Sequence, residues 1–414
     1  MQSNKLVEIN GSRLWQSLMD LAKFGATPKG GVCRLALTDF DKQARDQLIT
    51  WGREAGLTIV IDKIGNIFMR RKGEDASLPP IVMGSHIDTQ PSGGKFDGNF
   101  GVLSALEVIR TLNEKGMKTK APLEVAAWTN EEGSRFVPVM MGSGVFRKAF
   151  TLEHAYAACD VDGKSAGDEL KRIGYIGEQE PGNHPMGAYF EAHIEQGPVL
   201  EAEHKTIGVV KAVLGLRWYD CVVQGQEAHA GPTPMKQRKD ALQAATNIMQ
   251  EVVEIANRYP PHGRGTVGFV QLFPNSRNVI PGQVKFSVDL RNINDELLNK
   301  MDKDIRAFID KISAQTGLKI TLTEVSYFKP TAFHDTCTQA VAKAAAQLGY
   351  SHMDTVSGAG HDAVYMSHMV PTGMIFIPCK DGISHNEIEE TKPEEVTAGC
   401  NVLLHAVLEL AGQV

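Results

Sequence analysis

The chain has 414 residues, 42% of them hydrophobic and 22% charged, with a formal net charge of -6. That length exceeds what one hydrophobic core usually serves and predicts two or three domains, in a composition typical of soluble globular proteins. The acidic balance gives no basic footprint for nucleic acid, and no run approaches the roughly 18 apolar residues of a membrane span.

The polar start, MQSNKLVEINGSRLW, lacks the apolar segment of a signal peptide. The six cysteines (Cys33, Cys159, Cys221, Cys337, Cys379, Cys400) are scattered with no CxxC spacing, which predicts reduced thiols in a cytoplasmic protein. Residues 5–23 carry a helical pattern with Leu14, Leu18 and Leu21 inward, and 39–56 read as a second helix capped around Thr38. Residues 57–61 and 66–70 alternate like a strand pair.

The apolar run 81–84 then gives way to a loop holding His86, Asp88 and Asp97, followed by a predicted helix at 101–115. A buried strand that delivers His-x-Asp at its carboxyl end is where α/β proteins put sites. His86 and Asp97 have metal-ligand chemistry, and Asp88 can orient an imidazole from behind; a polar loop capping a strand is the alternative. Strand 123–128 ends in TNEEGSRF, leaving Glu131 and Glu132 adjacent. Neighbouring carboxylates repel, so the pair is costly without a cation, although a solvated turn would also accommodate it. GAYFEAHIEQG carries His193 and Glu195 past a third apolar run.

From about residue 213 the pattern changes. WYDCVVQG, a helix at 240–258, TVGFVQLF, VKFSVDLRN, a helix at 295–316 and LKITLTEVSYF follow in the order β-α-β-β-α-β, with Val284, Phe286, Val288 and Leu290 on one face. This is the ferredoxin-like split pattern. It predicts a domain at 213–328 inserted between residues 1–212 and 329–414 of a layered α/β domain. The tail has a helix at 335–348, SGAGHDAVYM, a strand at 374–377, His385 in CKDGISHNEIEET and a final helix at 393–410. The acidic run 386–395 reads as solvated surface.

His86, Asp97, Glu132, His193 and His385 thus combine imidazoles and carboxylates without thiolates, a set suited to Zn, Mn, Co or Ni. Five ligands exceed what one open catalytic zinc takes and suit two ions, with Asp97 as the bridge and a water between them. Two cations also make the Glu131–Glu132 pair tolerable: one carboxylate ligates while its neighbour serves as general base.

Six ordered motifs, HIDTQPSGGKFDGNFGV, TNEEGSRF, HIEQGPVLE, GQEAHAGPTPM, GAGHDA and DGISHNE, resemble the dinuclear-metal amidohydrolase branch of the M20 peptidase family. Within it they are similar to the carbamoylase group: N-carbamoyl-L-amino acid hydrolase, β-ureidopropionase and allantoate amidohydrolase. The resemblance implies a catalytic α/β domain with two divalent ions per subunit and a smaller lid domain that forms a homodimer. It implies His86, Asp97, Glu132, His193 and His385 as ligands, Asp88 supporting His86, and Glu131 as general acid/base. His229 would stabilise the oxyanion, within its own subunit or across the dimer. Asn278 and Arg291 would hold a substrate carboxylate, Gln196 would make a polar substrate contact, and His361, with Gly358 and Gly360, would form the pocket floor. The implied substrate is a small ureido acid, cleaved to the amino acid, carbon dioxide and ammonia. An aminoacylase or peptidase of the same superfamily, and a non-catalytic metal-dependent binding module, are the rival readings.

Overall fold

The structure, a computed structural model, describes residues 6–414. Residues 1–5, which open the polar start and the predicted helix at 5–23, lie outside the described residues. Two compact units are present, one made of the chain up to residue 211 and from 332 to 414, the other of residues 212–331. Among the described residues no helix is long and apolar enough to cross a membrane.

In the first unit, Asn10 caps helix Gly11–Leu21, which buries Leu14, Leu18 and Leu21, and Thr38 caps helix Asp39–Glu54. Strands β1 (Thr58–Ile61) and β2 (Ile67–Arg71) pair antiparallel, and β2 runs antiparallel to β4 (Leu123–Trp128). Strand β3 (Ile81–His86) lies parallel to β4 and to β5 (Ala188–Ile194). Every residue of these three strands is buried, as parallel strands covered on both faces require, and this is why they read as largely apolar runs. The helix between β3 and β4 begins at Asn99 and ends at Glu114. Three short helices, Met141–Phe146, Leu152–Ala157 and Ala166–Ile173, and strand β6 (Ile207–Val213) add to the elements expected from the sequence.

The second unit contains β7 (Gly215–Gln224), β8 (Ala228–His229), helix Ala241–Arg258, β9 (Arg264–Thr266), β10 (Val270–Phe273), β11 (Val279–Ile280), β12 (Gln283–Asn292), helix Asp295–Thr316 and β13 (Lys319–Phe328). Its main sheet has the order β10-β12-β7-β13, with β9 also on β12 and every pairing antiparallel. TVGFVQLF, read as one strand, is divided into β9 and β10. Val284, Phe286, Val288 and Leu290 are buried in one cluster with Ile248 and Val252 of one helix and Met301 and Ile305 of the other.

The chain then returns through β14 (Thr331–Ala332) and β15 (His352–Ser357) to β16 (Thr372–Ile377). The resulting sheet has the order β1-β2-β4-β3-β5-β16-β6-β14, with β15 also on β6, and β16 runs parallel to β5. Helix Pro393–Ala411 packs on the Asn99–Glu114 helix. The expected layered α/β architecture is therefore present, and β3, β4, β5 and β16, all parallel neighbours, send the loops after their carboxyl ends to one edge of the sheet.

Candidate metal centre

His86 closes β3, and its Nε2 lies 3.5 Å from Asp97 Oδ1 and 3.6 Å from Glu131 Oε2. The loop that carries Asp97 can come this close because Gly98 follows it. A Cβ at Gly98 would stand 2.4 Å from the His86 ring, and the backbone there is left-handed at φ +66°. His193, on β5, reaches the same Asp97 Oδ1 with its Nε2 at 3.1 Å. From the other side, His385 Nε2 is 3.3 Å from Asp97 Oδ2 and 3.4 Å from Glu132 Oε2. Two three-donor groups that contain Asp97 result, His86–Asp97–His193 and Asp97–Glu132–His385, each with its ligand atoms within 4.8 Å of one another; a third, Glu191–His193–His361, lies beside them without it.

The ring orientations suit ligation. His86 Nδ1 is 3.0 Å from the Asp88 carbonyl and His193 Nδ1 is 2.9 Å from the Ile194 carbonyl. A carbonyl only accepts, so Nδ1 of each ring carries a proton, and Nε2, on the Asp97 side, is the atom left to bind an ion. The Gly98 N–H donates to His193 Nε2 at 3.1 Å, consistent with that tautomer.

The electrostatics also call for a cation. Burial pushes Glu132 up to about 7, with Asp97 adding to the rise. Burial, joined by the Asp362, Glu132 and Asp88 carboxylates, drives Glu131 well above the usual carboxylate range against the opposing pull of His86. Asp97 goes the other way: burial raises it, but hydrogen bonds to His193, His385 and His86 prevail and hold it well below. His385 is lifted to about 9, chiefly by its hydrogen bond to Asp97. Burial opposes charge on His86, yet Glu131, Asp97 and Asp88 together raise it well above its ordinary value. Among the described residues no lysine or arginine pairs with Asp97, Glu131 or Glu132; their ion-pair partners are imidazoles, and Gln90, Gln196 and Ser384 add only neutral donors. A buried carboxylate set without a fixed positive partner, presented with imidazole nitrogens, fits a divalent ion.

The role of Asp88 differs from the expectation. Its carboxylate lies 3.8 Å from His86 Nδ1, beyond hydrogen-bonding reach, and the Asp88 main-chain carbonyl takes that nitrogen instead. The carboxylate accepts the N–H groups of Glu131 and Glu132, each at 3.2 Å, so it fixes the loop that presents both acids. Asp88→Asn would set an amide NH₂ against one of these N–H groups. An unsatisfied buried donor costs about 1–3 kcal/mol. The expected result is a roughly tenfold lower kcat with metal content retained, measured by steady-state kinetics beside elemental analysis.

Gln196 has a left-handed backbone (φ +56°) and donates from Nε2 to Asp97 Oδ2 at 2.8 Å and to Ser384 Oγ at 3.2 Å, so it stands against the carboxylate shared by the two donor groups. His361 is buried edge-to-face on His193 with ring centroids 4.6 Å apart, and its Nε2 is 2.8 Å from Ser357 Oγ. Burial and the neighbouring His193 keep it well below its ordinary pKa, hence neutral. A Cβ at Gly360 would meet only Met140, at 3.4 Å, and one at Gly358 nothing within 4 Å. Glu195 caps the short helix after β5, accepting from Val199 and Leu200 N–H.

Three expected site residues belong to the second unit. His229 and Asn278 share a two-stranded ribbon, where His229 pairs with Val279 and Ala230 N–H donates to the Asn278 carbonyl at 2.8 Å. His229 is exposed, and its Nδ1 accepts from Gly231 N–H at 3.1 Å, which leaves the proton on Nε2 as an outward donor. Arg291, on β12, forms an ion pair with Asp289 at 2.8 Å.

Sequence reasoning missed four residues around the centre, three of them buried. Glu191 accepts from Ser85 Oγ at 2.7 Å and from Ala363 N–H at 2.9 Å. Asp362 accepts from Ser143 Oγ. The signal for Glu191 was available: a glutamate two positions before His193, on the same face of an apolar strand. The other two are Ser384 and Glu389. The run 386–395, expected as solvated surface, buries Glu389 and Thr391, because Glu389 accepts hydrogen bonds from Phe96 and Asp97 N–H at 2.9 and 3.1 Å.

Comparison with known proteins shows the family. Residues 82–409 match the Peptidase family M20/M25/M40. An N-carbamoyl-L-amino-acid amidohydrolase of Rhizobium meliloti is 49% identical, with 97% of each chain covered. An allantoate amidohydrolase of Bacillus subtilis is 35% identical, covering 94% of this chain and 95% of its own. The crystal structure of an amidase of the hydantoinase/carbamoylase family from Burkholderia multivorans superposes with a TM-score of 0.94 at 56% identity, with 98% of each chain covered. These matches over nearly the whole chain have one reading: the protein belongs to the M20/M25/M40 peptidase family.

Proposed function

We propose that the protein hydrolyses the ureido group of N-carbamoyl-L-amino acids, releasing the amino acid, carbon dioxide and ammonia. The observation that carries the hydrolytic reading is Asp97, common to two three-donor groups; the substrate class is supported by the Rhizobium meliloti relative. The family is one of metal-dependent enzymes, and His86, Asp97, His193, Glu132 and His385 would hold two divalent ions (Zn, Mn, Co or Ni) with Asp97 between them. Bound there, the ions would acidify a water and polarise the ureido carbonyl.

The remaining steps belong to the chain. Glu131, which lies outside both three-donor groups, takes a proton from the attacking water and returns it to the departing nitrogen as the C–N bond breaks. The carbamate so released decomposes to carbon dioxide and ammonia. His229 Nε2–H is the donor for the developing oxyanion, and Asn278 and Arg291 hold the substrate carboxylate, Arg291 by exchanging its partner Asp289 for it. The second unit is the one through which two subunits pair, and the six free thiols fit a cytoplasmic protein.

A substrate panel tests the reading. Protein loaded separately with Zn, Mn, Co or Ni is expected to turn over N-carbamoyl-L-methionine at least tenfold faster, in kcat/KM, than N-acetyl-L-methionine or a dipeptide. Faster turnover of the acetyl or peptide analogue would sink it. Allantoate belongs in the same panel, since the Bacillus subtilis relative carries that name.

A further inference from the structure

We infer that Glu389 is a positioning residue of the metal centre: its buried carboxylate locks the main chain of Asp97 to the loop that carries His385. The inference rests on the reading that Asp97, Glu132 and His385 together hold a cation.

Glu389 sits in an acidic stretch whose neighbour Glu390 is exposed, yet it is only 5% exposed itself. A carboxylate is buried at a cost unless its oxygens are satisfied. Among the described residues no lysine or arginine forms an ion pair with Glu389; main-chain and hydroxyl donors satisfy it. Oε1 accepts from Phe96 N–H at 2.9 Å and Asp97 N–H at 3.1 Å, and Oε2 accepts from Ser384 Oγ at 2.9 Å. The same Ser384 hydroxyl lies 3.1 Å from Asp97 Oδ2, the oxygen that faces His385 Nε2 at 3.3 Å. Glu389 therefore touches the aspartate's backbone directly and its side chain through one hydroxyl, and that hydroxyl immediately precedes His385.

The sequence makes room for this contact. A Cβ on Gly94 would stand 2.1 Å from the Glu389 carboxyl carbon, and one on Gly31 would stand 2.6 Å from Glu387 Cα. Three loops thus close on one another where only glycine fits. His385 is also held with a left-handed backbone at φ +53°, a conformation a histidine keeps only when its surroundings impose it. Glu389 is not itself a ligand: neither three-donor group contains it, and both its oxygens already accept hydrogen bonds. Its work is to fix the separation between Asp97 and His385, on which the group shared with Glu132 depends.

Calorimetric titration of metal-free protein with ZnCl₂ and with MnCl₂ tests this, accompanied by metal content after desalting and by the unfolding midpoint of the metal-free form. In the parent two ions are expected. Glu389→Ala should weaken one of the two binding events by about 10–100-fold and leave the other unchanged. Glu389→Gln should restore most of the loss, because its amide oxygen still accepts the Phe96 and Asp97 N–H groups. Ser384→Ala should weaken the same event by a smaller factor. The assignment is overturned if Glu389→Ala lowers only the unfolding midpoint and binds both ions as the parent does, or if Glu389→Gln fails as badly as Glu389→Ala. Should Glu389→Ala not fold, Ser384→Ala decides, and an unchanged second affinity overturns the assignment. A parent that takes up fewer than two ions instead overturns the dinuclear reading, and the Glu389 assignment falls with it.

Discussion

Glu131→Gln is expected to lower kcat by about 10²–10⁴-fold while leaving KM within about twofold and the metal content equal to that of the parent. The substitution preserves shape and removes only the ability to take and return a proton. Glu131 is suited to that task by position. It is buried, its Oε2 lies 3.6 Å from His86 Nε2, and its main-chain N–H is held by Asp88 at 3.2 Å. Its neighbour Glu132 is committed to the group with Asp97 and His385, whereas Glu131 belongs to neither three-donor group. Burial beside other carboxylates also strengthens it as a base. A group that acts only on the proton in flight affects kcat and not substrate binding, so the KM–kcat split is diagnostic. The measurement is steady-state kinetics on N-carbamoyl-L-methionine, with elemental analysis of the same preparation. Undiminished kcat in a fully metal-loaded variant would remove Glu131 from the mechanism and revive the reading of a metal-dependent binding module.

Much of this centre is legible in the sequence because parallel strands bury both faces. Their apolar runs end abruptly, and the polar residues at their ends or in the loops that follow, His86, Glu131–Glu132 and His385, stand out by contrast. The architecture follows from the same contrast, with helix starts marked by Thr38 and Pro393. What escapes is whatever depends on one loop meeting another. Proximity in sequence pairs Asp88 with His86, but its carboxylate turns to the N–H groups of Glu131 and Glu132, which only the adjacency of β3 and β4 brings near. Glu389 looks like any glutamate in an acidic stretch, since its partners Phe96 and Asp97 lie almost three hundred positions away. Helices Met141–Phe146 and Leu152–Ala157 are six residues each, too short to show a helical period. For His229, Asn278 and Arg291 the motif context supplied roles that no spacing would have suggested; His229 alone reads as a turn histidine.

Asp97→Asn is expected to lose at least half of the bound metal and essentially all turnover. Both carboxylate oxygens are in use: Oδ1 faces His193 at 3.1 Å and His86 at 3.5 Å, and Oδ2 faces His385 at 3.3 Å. Asparagine keeps one oxygen and replaces the other with an NH₂ group, which has no lone pair to offer a metal ion. If the amide oxygen stays with His86 and His193, its NH₂ confronts the donor from Gln196 Nε2, now 2.8 Å from Oδ2, and the His385 side of the centre loses its shared ligand. The opposite flip strands the other side. Charge works in the same direction, because removing one carboxylate lowers the negative field that draws two cations together. Metal content per folded subunit, measured after desalting at matched circular dichroism, should therefore fall from about two ions to one or fewer, and the residual ion should bind as a single calorimetric event. Metal content equal to that of the parent would refute the bridge. Loss of both ions with a retained fold would instead mean that each three-donor group needs the charged aspartate, a stronger dependence than sharing one oxygen apiece requires.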